Sequence, residues 1–239
     1  MTNIVDLSGP RHGHLCLSPE PTGADQNLAL LGLSEIPLAV TDYPICFAKD
    51  RTTGAFDVVV LLGFADRRNV FWRNGQWRAI YVPESIVVAP FRLSPGSAIG
   101  LAVDEDNPRL GTSGHRLFDD AGAPTVVATT MRDRLQHLVA DVAAARSMAT
   151  RFADLALIRP LVLAVRRDGR PPHDVEGLYS LDGNALAGLS DEQVVALFRT
   201  GHLAAASLIV ASLGQLERLR QLEERQGDGS ALTLDARLA

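Results

Sequence analysis

Leu33-Ser34-Glu35-Ile36-Pro37-Leu38, Asp42-Tyr43-Pro44-Ile45-Cys46-Phe47, Asn69-Val70-Phe71-Trp72-Arg73-Asn74-Gly75-Gln76-Trp77-Arg78-Ala79-Ile80-Tyr81-Val82-Pro83 and Pro90-Phe91-Arg92-Leu93 are the stretches that decide the fold. They set aromatic residues beside prolines and turn formers. The chain of 239 residues holds thirteen aromatics, and ten of them fall before residue 120. Aromatic and β-branched residues fit a pleated, half-buried surface, so the first half reads as a compact β-rich layer. Asn74-Gly75, between residues 70–72 and 76–82, is the strongest short hairpin signal, because both turn positions need positive φ. Residues 45–48 and 56–63 read as strands around a turn at 50–54. Residues 99–103 read as another strand, ending in a turn at 104–108. Pro83 suits a first helical turn.

The second half changes period. Met131, Leu135, Leu138, Val142, Ala145, Ala149 and Phe152 recur at alternating steps of four and three, which predicts a helix over 126–156. Leu161, Leu163 and Val165 alternate, as do Val175, Gly177, Tyr179 and Leu181, around Arg167-Asp168-Gly169. A lone hairpin is marginal in water, so this one is expected to complete the first half's sheet. Ser190 with Gln193 forms a capping box opening a helix to about residue 200, and Gly201 breaks it. A last helix is expected over 202–224, its Leu203, Ala206, Val210, Leu213 and Leu216 seated on the long helix's stripe. Residues 1–27 read as an irregular arm and 226–239 as a flexible tail. The fold class is therefore α+β. A β-rich N-terminal half with a mixed or antiparallel sheet is packed by a long helix and a C-terminal helical pair, in one domain over 28–225.

Composition bounds the function. Hydrophobic content of 46% and charge of 21% are ordinary for a globular chain. A net charge of −5 argues against nucleic acid, which needs a basic face. Lys49 is the single lysine beside 22 scattered arginines. Cys16 and Cys46 make neither a disulfide framework nor zinc spacing, and Cys46 between Ile45 and Phe47 reads as a buried thiol. No stretch approaches the ~20 apolar residues of a membrane span. The opening residues lack a basic and an apolar signal region, so the expected location is cytoplasmic. Residues 96–100 lack the Lys-Ser/Thr that completes a phosphate loop, and no cofactor motif appears.

Four groups carry candidate chemistry. His12-Gly13-His14 on a strand would put both rings on one side, as a metal ion or an acid–base pair requires. Two ligands make no site, however, and hydrogen bonding in a surface arm is the preferred reading. Asp104-Glu105-Asp106 offers oxygen ligands for Mg²⁺ or Ca²⁺, yet Asn107-Pro108 departs from a calcium loop and a solvated turn is favoured. No metal is expected. Gly111-Thr112-Ser113-Gly114-His115 lacks the Gly-x-Ser-x-Gly elbow of hydrolases. Tyr43, Phe71, Trp72, Trp77 and Tyr81 could offer a stacking surface, since Trp77 and Tyr81 share strand parity and would face one way, but core packing uses the same residues and is the preferred reading of the set.

These motifs, in this order, resemble the SapC-like family, named after a bacterial surface-layer-associated protein. The likeness runs through Arg11-His12-Gly13-His14-Leu15, Glu35-Ile36-Pro37-Leu38, Tyr43-Pro44-Ile45-Cys46-Phe47, Leu61-Leu62-Gly63, Asn69-Val70-Phe71, Trp77-Arg78 and Tyr81-Val82-Pro83. It continues through Pro90-Phe91-Arg92-Leu93, Val103-Asp104-Glu105-Asp106, Leu117-Phe118-Asp119, Glu176-Gly177-Leu178-Tyr179 and Ser212-Leu213. The resemblance implies a link to the cell envelope and no catalytic residue. Two places depart from the family pattern. Val88-Ala89 stands where a basic pair is usual, and His202, Ala206, Ser207 and Ile209 stand where the last helix usually carries aromatics and a histidine.

The leading reading is a non-catalytic binding or accessory protein of bacterial cells. It would hold a small molecule, sugar or peptide through Tyr43, Phe71, Trp77, Arg78, Tyr81 and Asp104. One rival is an enzyme, or enzyme partner, using Asp104, Glu105 and a histidine on a sugar or peptide. A second rival is a structural subunit assembling through the 126–156 helix. The preferred reading satisfies that stripe within the subunit and leaves any homodimer to another surface.

Overall fold

A six-stranded sheet carries the main core. In the computed structural model its strands lie in the order Leu232–Leu238, Ile158–Arg167, His173–Leu181, Ile45–Lys49, Phe56–Leu61 and Leu28–Leu30, and every neighbouring pair is antiparallel. The structure describes residues 3–50, 52–65, 67–169, 171–227 and 230–239. Parts of the expected 50–54 turn and 226–239 tail, at Arg51, Asp228 and Gly229, lie outside the described residues.

The late hairpin joins the early sheet where Leu178 faces Ala48 and Tyr179 faces Phe47. Its alternation differs from expectation. Register shifts between Leu161 and Leu163, so Glu176 and Gly177 together oppose Val162. Gly177 takes φ +79°, the left-handed geometry such a bulge uses and a side chain resists. Beyond it the parity shifts: Leu178 takes the face of Val175, opposite Leu161, and Tyr179 the other, while Leu178, Ser180 and Leu181 are all buried. Tyr179 instead meets Phe56 edge-on at 5.0 Å.

The long helix, Val126–Asp154, buries Leu135, Leu138, Val142, Ala145, Ala149 and Phe152 as its pattern predicts. Its main partners are not the final helix but the strands Phe56–Leu61 and Phe91–Leu93. A sheet offers a wider apolar face than one helix, and the small Ala145 and Ala149 let the backbone settle onto it. The expected 202–224 helix is two helices, His202–Ser212 and Gln215–Gln226. Bonds from Leu213 to Val210, Gly214 to Ala211 and Leu216 to Leu213 tighten the chain between them, at a glycine that favours helix poorly. No single helix among the described residues is long and apolar enough to cross a membrane.

Among the described residues, strands form within 3–27 and 230–239, where the sequence reading expected an irregular arm and a flexible tail; Met1 and Thr2 lie outside the described residues. Ile4–Asp6 pairs with Leu101–Asp104, which also pairs with Phe91–Leu93. Cys16–Leu17 lies between Leu110–Gly111 and His115–Arg116. Leu7 and Leu17 enter a second core with Phe91, Val103, Phe118 and the helix residues Leu135 and Leu138. At the other end, Leu232–Leu238 runs along Ile158–Arg167. Its Leu232, Leu234, Ala236 and Leu238 alternate with Thr, Asp and Arg, a strand period too short to stand out beside Gly and Ser.

Candidate functional site

Thr130, Arg134, His137 and Asp141 recur at steps of four, three and four along the long helix, so they share one face beside its buried stripe. Two of them are clasps. Arg134 grips Glu84 with both prongs, Nη2 to Oε1 at 2.6 Å and Nε to Oε2 at 2.9 Å. Asp141 accepts the Ser34 N–H at 3.1 and 3.0 Å and the Ser34 hydroxyl at 2.7 Å. A methyl on Gly32 would sit 2.0 Å from Asp141 Oδ2, so only glycine permits this approach. Between the clasps opens a cleft of about 440 Å³, lined by Glu35, Leu38, Tyr81, Asp133, His137 and Leu138 together with the clasping residues. That volume falls within the range of small-molecule pockets.

Glu35 lies buried at this cleft. Its Oε2 accepts the Gly32 N–H at 2.7 Å, and its Oε1 accepts the Tyr81 hydroxyl at 2.7 Å and the Glu84 N–H at 2.8 Å. Burial raises the carboxyl above its ordinary range, against the pull of these three donors, and the charge of Glu84 adds to the rise. Burial, then the hydrogen-bonded carboxylate, also raises the Tyr81 phenol. Phenol and carboxyl are thus fixed as donor and acceptor.

The loop bearing Tyr81 is pinned from below. Asp42, fully buried, accepts the Ile80 and Tyr81 N–H groups at 2.9 and 3.0 Å and pairs with Arg218 at 2.7 Å. Trp77 Nε1 donates to the Tyr43 hydroxyl at 2.8 Å, and that hydroxyl donates to the Tyr81 carbonyl. Tyr43 meets Phe71 edge-on at 4.7 Å, and Arg218 lies over the Phe71 ring at 5.9 Å.

Of the residues expected to bind a ligand, only Tyr81 lines this cleft. Tyr43 and Phe71 are buried supports, Trp77 is hydrogen-bonded beneath the loop, and Arg78 is exposed beside it. The expected common face of Trp77 and Tyr81 does not form. Gln76–Trp77 is a two-residue strand, so strand parity ends before Tyr81. Asp104 lines a different cleft, with Trp72. His12 and His14 separate: His12 closes the short helix Gly9–His12 and is buried, while His14 is exposed. His12 Nδ1 accepts the Ser8 N–H at 3.0 Å, and Nε2 donates to Glu105 at 3.0 Å. Glu105 also takes both prongs of Arg11 and the Asn3 amide. Among the described residues no three His, Cys, Asp or Glu groups are arranged to hold a metal ion. Burial pushes the Cys46 thiol up to about 12. Sequence reasoning missed Glu35, Glu84, Arg134, His137 and Asp141. The four–three–four polar stripe on the helix was the available signal.

Two segments that carry the resemblance, 35–38 and 81–83, meet in the Tyr81–Glu35 hydrogen bond. Ala206 and Ile209, at positions that depart from the pattern, lie in the main core. No curated protein and no solved structure matches the chain. The SapC family does match it, over residues 7–219, and the chain belongs to that family.

Proposed function

We propose that the chain is a non-catalytic binding or accessory protein of bacterial cells. Its Tyr81 cleft takes a small molecule or peptide segment through a cationic or hydrogen-bond-donating group. The engagement of Glu35 carries this reading: a carboxyl held by three donors on both of its oxygens is a fixed wall, not a free base. The lining carboxyls Glu35, Glu84, Asp133 and Asp141 outnumber the basic groups Arg134 and His137, so the field favours a donor over an anion. Leu38, 54% exposed, supplies apolar contact at the mouth. The enzyme reading has less support, because its histidine and Glu105 are engaged with each other and His12 is out of solvent. The envelope context is inferred from the family name alone.

Calorimetric titration against a panel of amines, basic dipeptides and matched carboxylates tests the reading. We expect binding among the amines and basic dipeptides, weakened about tenfold or more by Leu38→Arg, which sets a like charge at the mouth. Binding confined to the carboxylates, or indifferent to Leu38→Arg, would overturn it.

A further inference from the structure

A second cleft, of about 830 Å³, shares no lining residue with the first. Its walls come from residues 22–26, from Trp72 on the Asn74-Gly75 hairpin, from Ala89-Pro90 and from the turn after Leu101–Asp104. Three observations set it apart from a merely solvated groove.

The first is an indole, that of Trp72, half buried and lining a cleft whose other walls mix polar groups with Ala24, Ala89, Pro90 and Pro108. The second is what else lines the cleft: the carboxylates of Asp104 and Asp106, the amides of Gln26 and Asn107, and the guanidinium of Arg92. All are planar groups with more hydrogen-bonding positions than they use within the chain, where Asp104 Oδ1 accepts the Asp106 N–H at 3.3 Å, Asn107 Oδ1 accepts the Arg109 N–H at 3.0 Å and Arg92 Nη1 donates to the Phe91 carbonyl at 3.2 Å. Charge nearly cancels across the cleft, with Asp25, Asp104 and Asp106 against Arg67 and Arg92, and Arg67 is paired with Asp25 at 3.1 Å. The third is a braced wall. Buried Arg109 donates to the carbonyls of Val87, Ala89 and Ser18, tying together segments that border the cleft. Asn69 donates to Gly23 O through its amide at 2.9 Å and to Ala24 O through its N–H at 3.2 Å.

An aromatic side chain that shares one cleft with planar hydrogen-bonding groups of little net charge suits a ligand that is apolar on one face and hydroxylated at its rim. A sugar ring has that form: its C–H face stacks on an indole, and its hydroxyls both donate and accept. Three carboxylates disfavour an anion, and the two arginines disfavour a simple cation. We propose that this cleft binds a neutral oligosaccharide, with Trp72 stacked on a sugar ring and Asp104, Asn107 and Arg92 taking its hydroxyls. The proposal is independent of the Tyr81 cleft.

The chain has two tryptophans, Trp72 and Trp77, so protein labelled with 5-fluorotryptophan gives two fluorine resonances, assigned by Trp72→Phe. Cellohexaose, maltohexaose, hexa-N-acetylchitohexaose and mannohexaose are titrated separately to millimolar concentration. At least one should move the Trp72 resonance and leave that of Trp77 in place. Calorimetry with that saccharide should show binding abolished by Trp72→Ala, partly kept by Trp72→Phe, and unaffected by Leu38→Arg at the other cleft. Circular dichroism confirms that each variant is folded. Failure of all four saccharides to move the Trp72 resonance, or binding that survives in folded Trp72→Ala, would overturn the proposal.

Discussion

Glu35 accepts hydrogen bonds from Gly32, Tyr81 and Glu84, residues spread over two separate stretches of chain. Removing an acceptor costs the desolvation of each donor left unpaired, so Glu35→Ala should lower stability by roughly 2–5 kcal/mol in urea unfolding. Glu35→Gln addresses the charge. A carboxyl whose folded pKa is raised binds its proton more tightly folded than unfolded, so its contribution is fully present below the unfolded value and falls as pH rises through the folded one. Urea midpoints measured upward from pH 4.5, the ordinary glutamate value, should therefore decline more steeply for the wild type than for Glu35→Gln. Tyr43→Phe removes the hydroxyl that joins Trp77 to the Tyr81 carbonyl. It should speed amide exchange across residues 77–82 and cost about 1 kcal/mol. None of these ties was legible at the residue scale. Glu35 and Asp42 stand out in the sequence only as members of the 33–38 and 42–47 stretches, because burial of a carboxylate depends on donors that only the folded backbone supplies.

The long helix was legible to within two residues at its C-terminal end, since a stripe at steps of four and three has no strand alternative. Its partner was not, because an apolar stripe states that it is covered and not by what. Leu138 lies in the smaller core with Phe91, Val103 and Phe118. Leu138→Ala should lower stability by about 2–5 kcal/mol while light scattering shows the same particle size as the wild type. A folded variant of smaller size would identify the stripe as an interface between chains. The Asn74-Gly75 turn formed as read, with φ of 52° and 75°. The strands beside it are only two residues each, because the Tyr81 backbone bonds to Asp42 instead of a neighbouring strand. The 158–181 hairpin found its sheet, but its bulge moved Tyr179 to the opposite face from that read in the sequence.

At the scale of the whole molecule, one helix serves both cores. Ala145, Met148, Ala149 and Phe152 belong to the core of the large sheet, and Leu135, Leu138 and Val142 to the core that Leu7 and Phe91 complete. A cavity in either core should therefore move the same unfolding event. Phe47→Ala and Phe91→Ala, each expected to cost about 3–5 kcal/mol, should each shift a single calorimetric peak to lower temperature without splitting it. Two separated peaks in either variant would show that the cores melt apart.

Leu232–Leu238 occupies the outer margin of the large sheet, covering seven positions of the ten-residue Ile158–Arg167. Truncation after Gln226 would strip that cover and leave a long row of peptide N–H and C=O groups open to pairing with another chain. The outermost strand in place now is shorter and carries Asp235 and Arg237, charges that discourage such pairing. The final segment then works as a sheath against polymerisation. Truncated protein should form larger, thioflavin-positive particles under conditions where the full chain stays clear, and a truncated chain that remains the same size as the full one would refute that role.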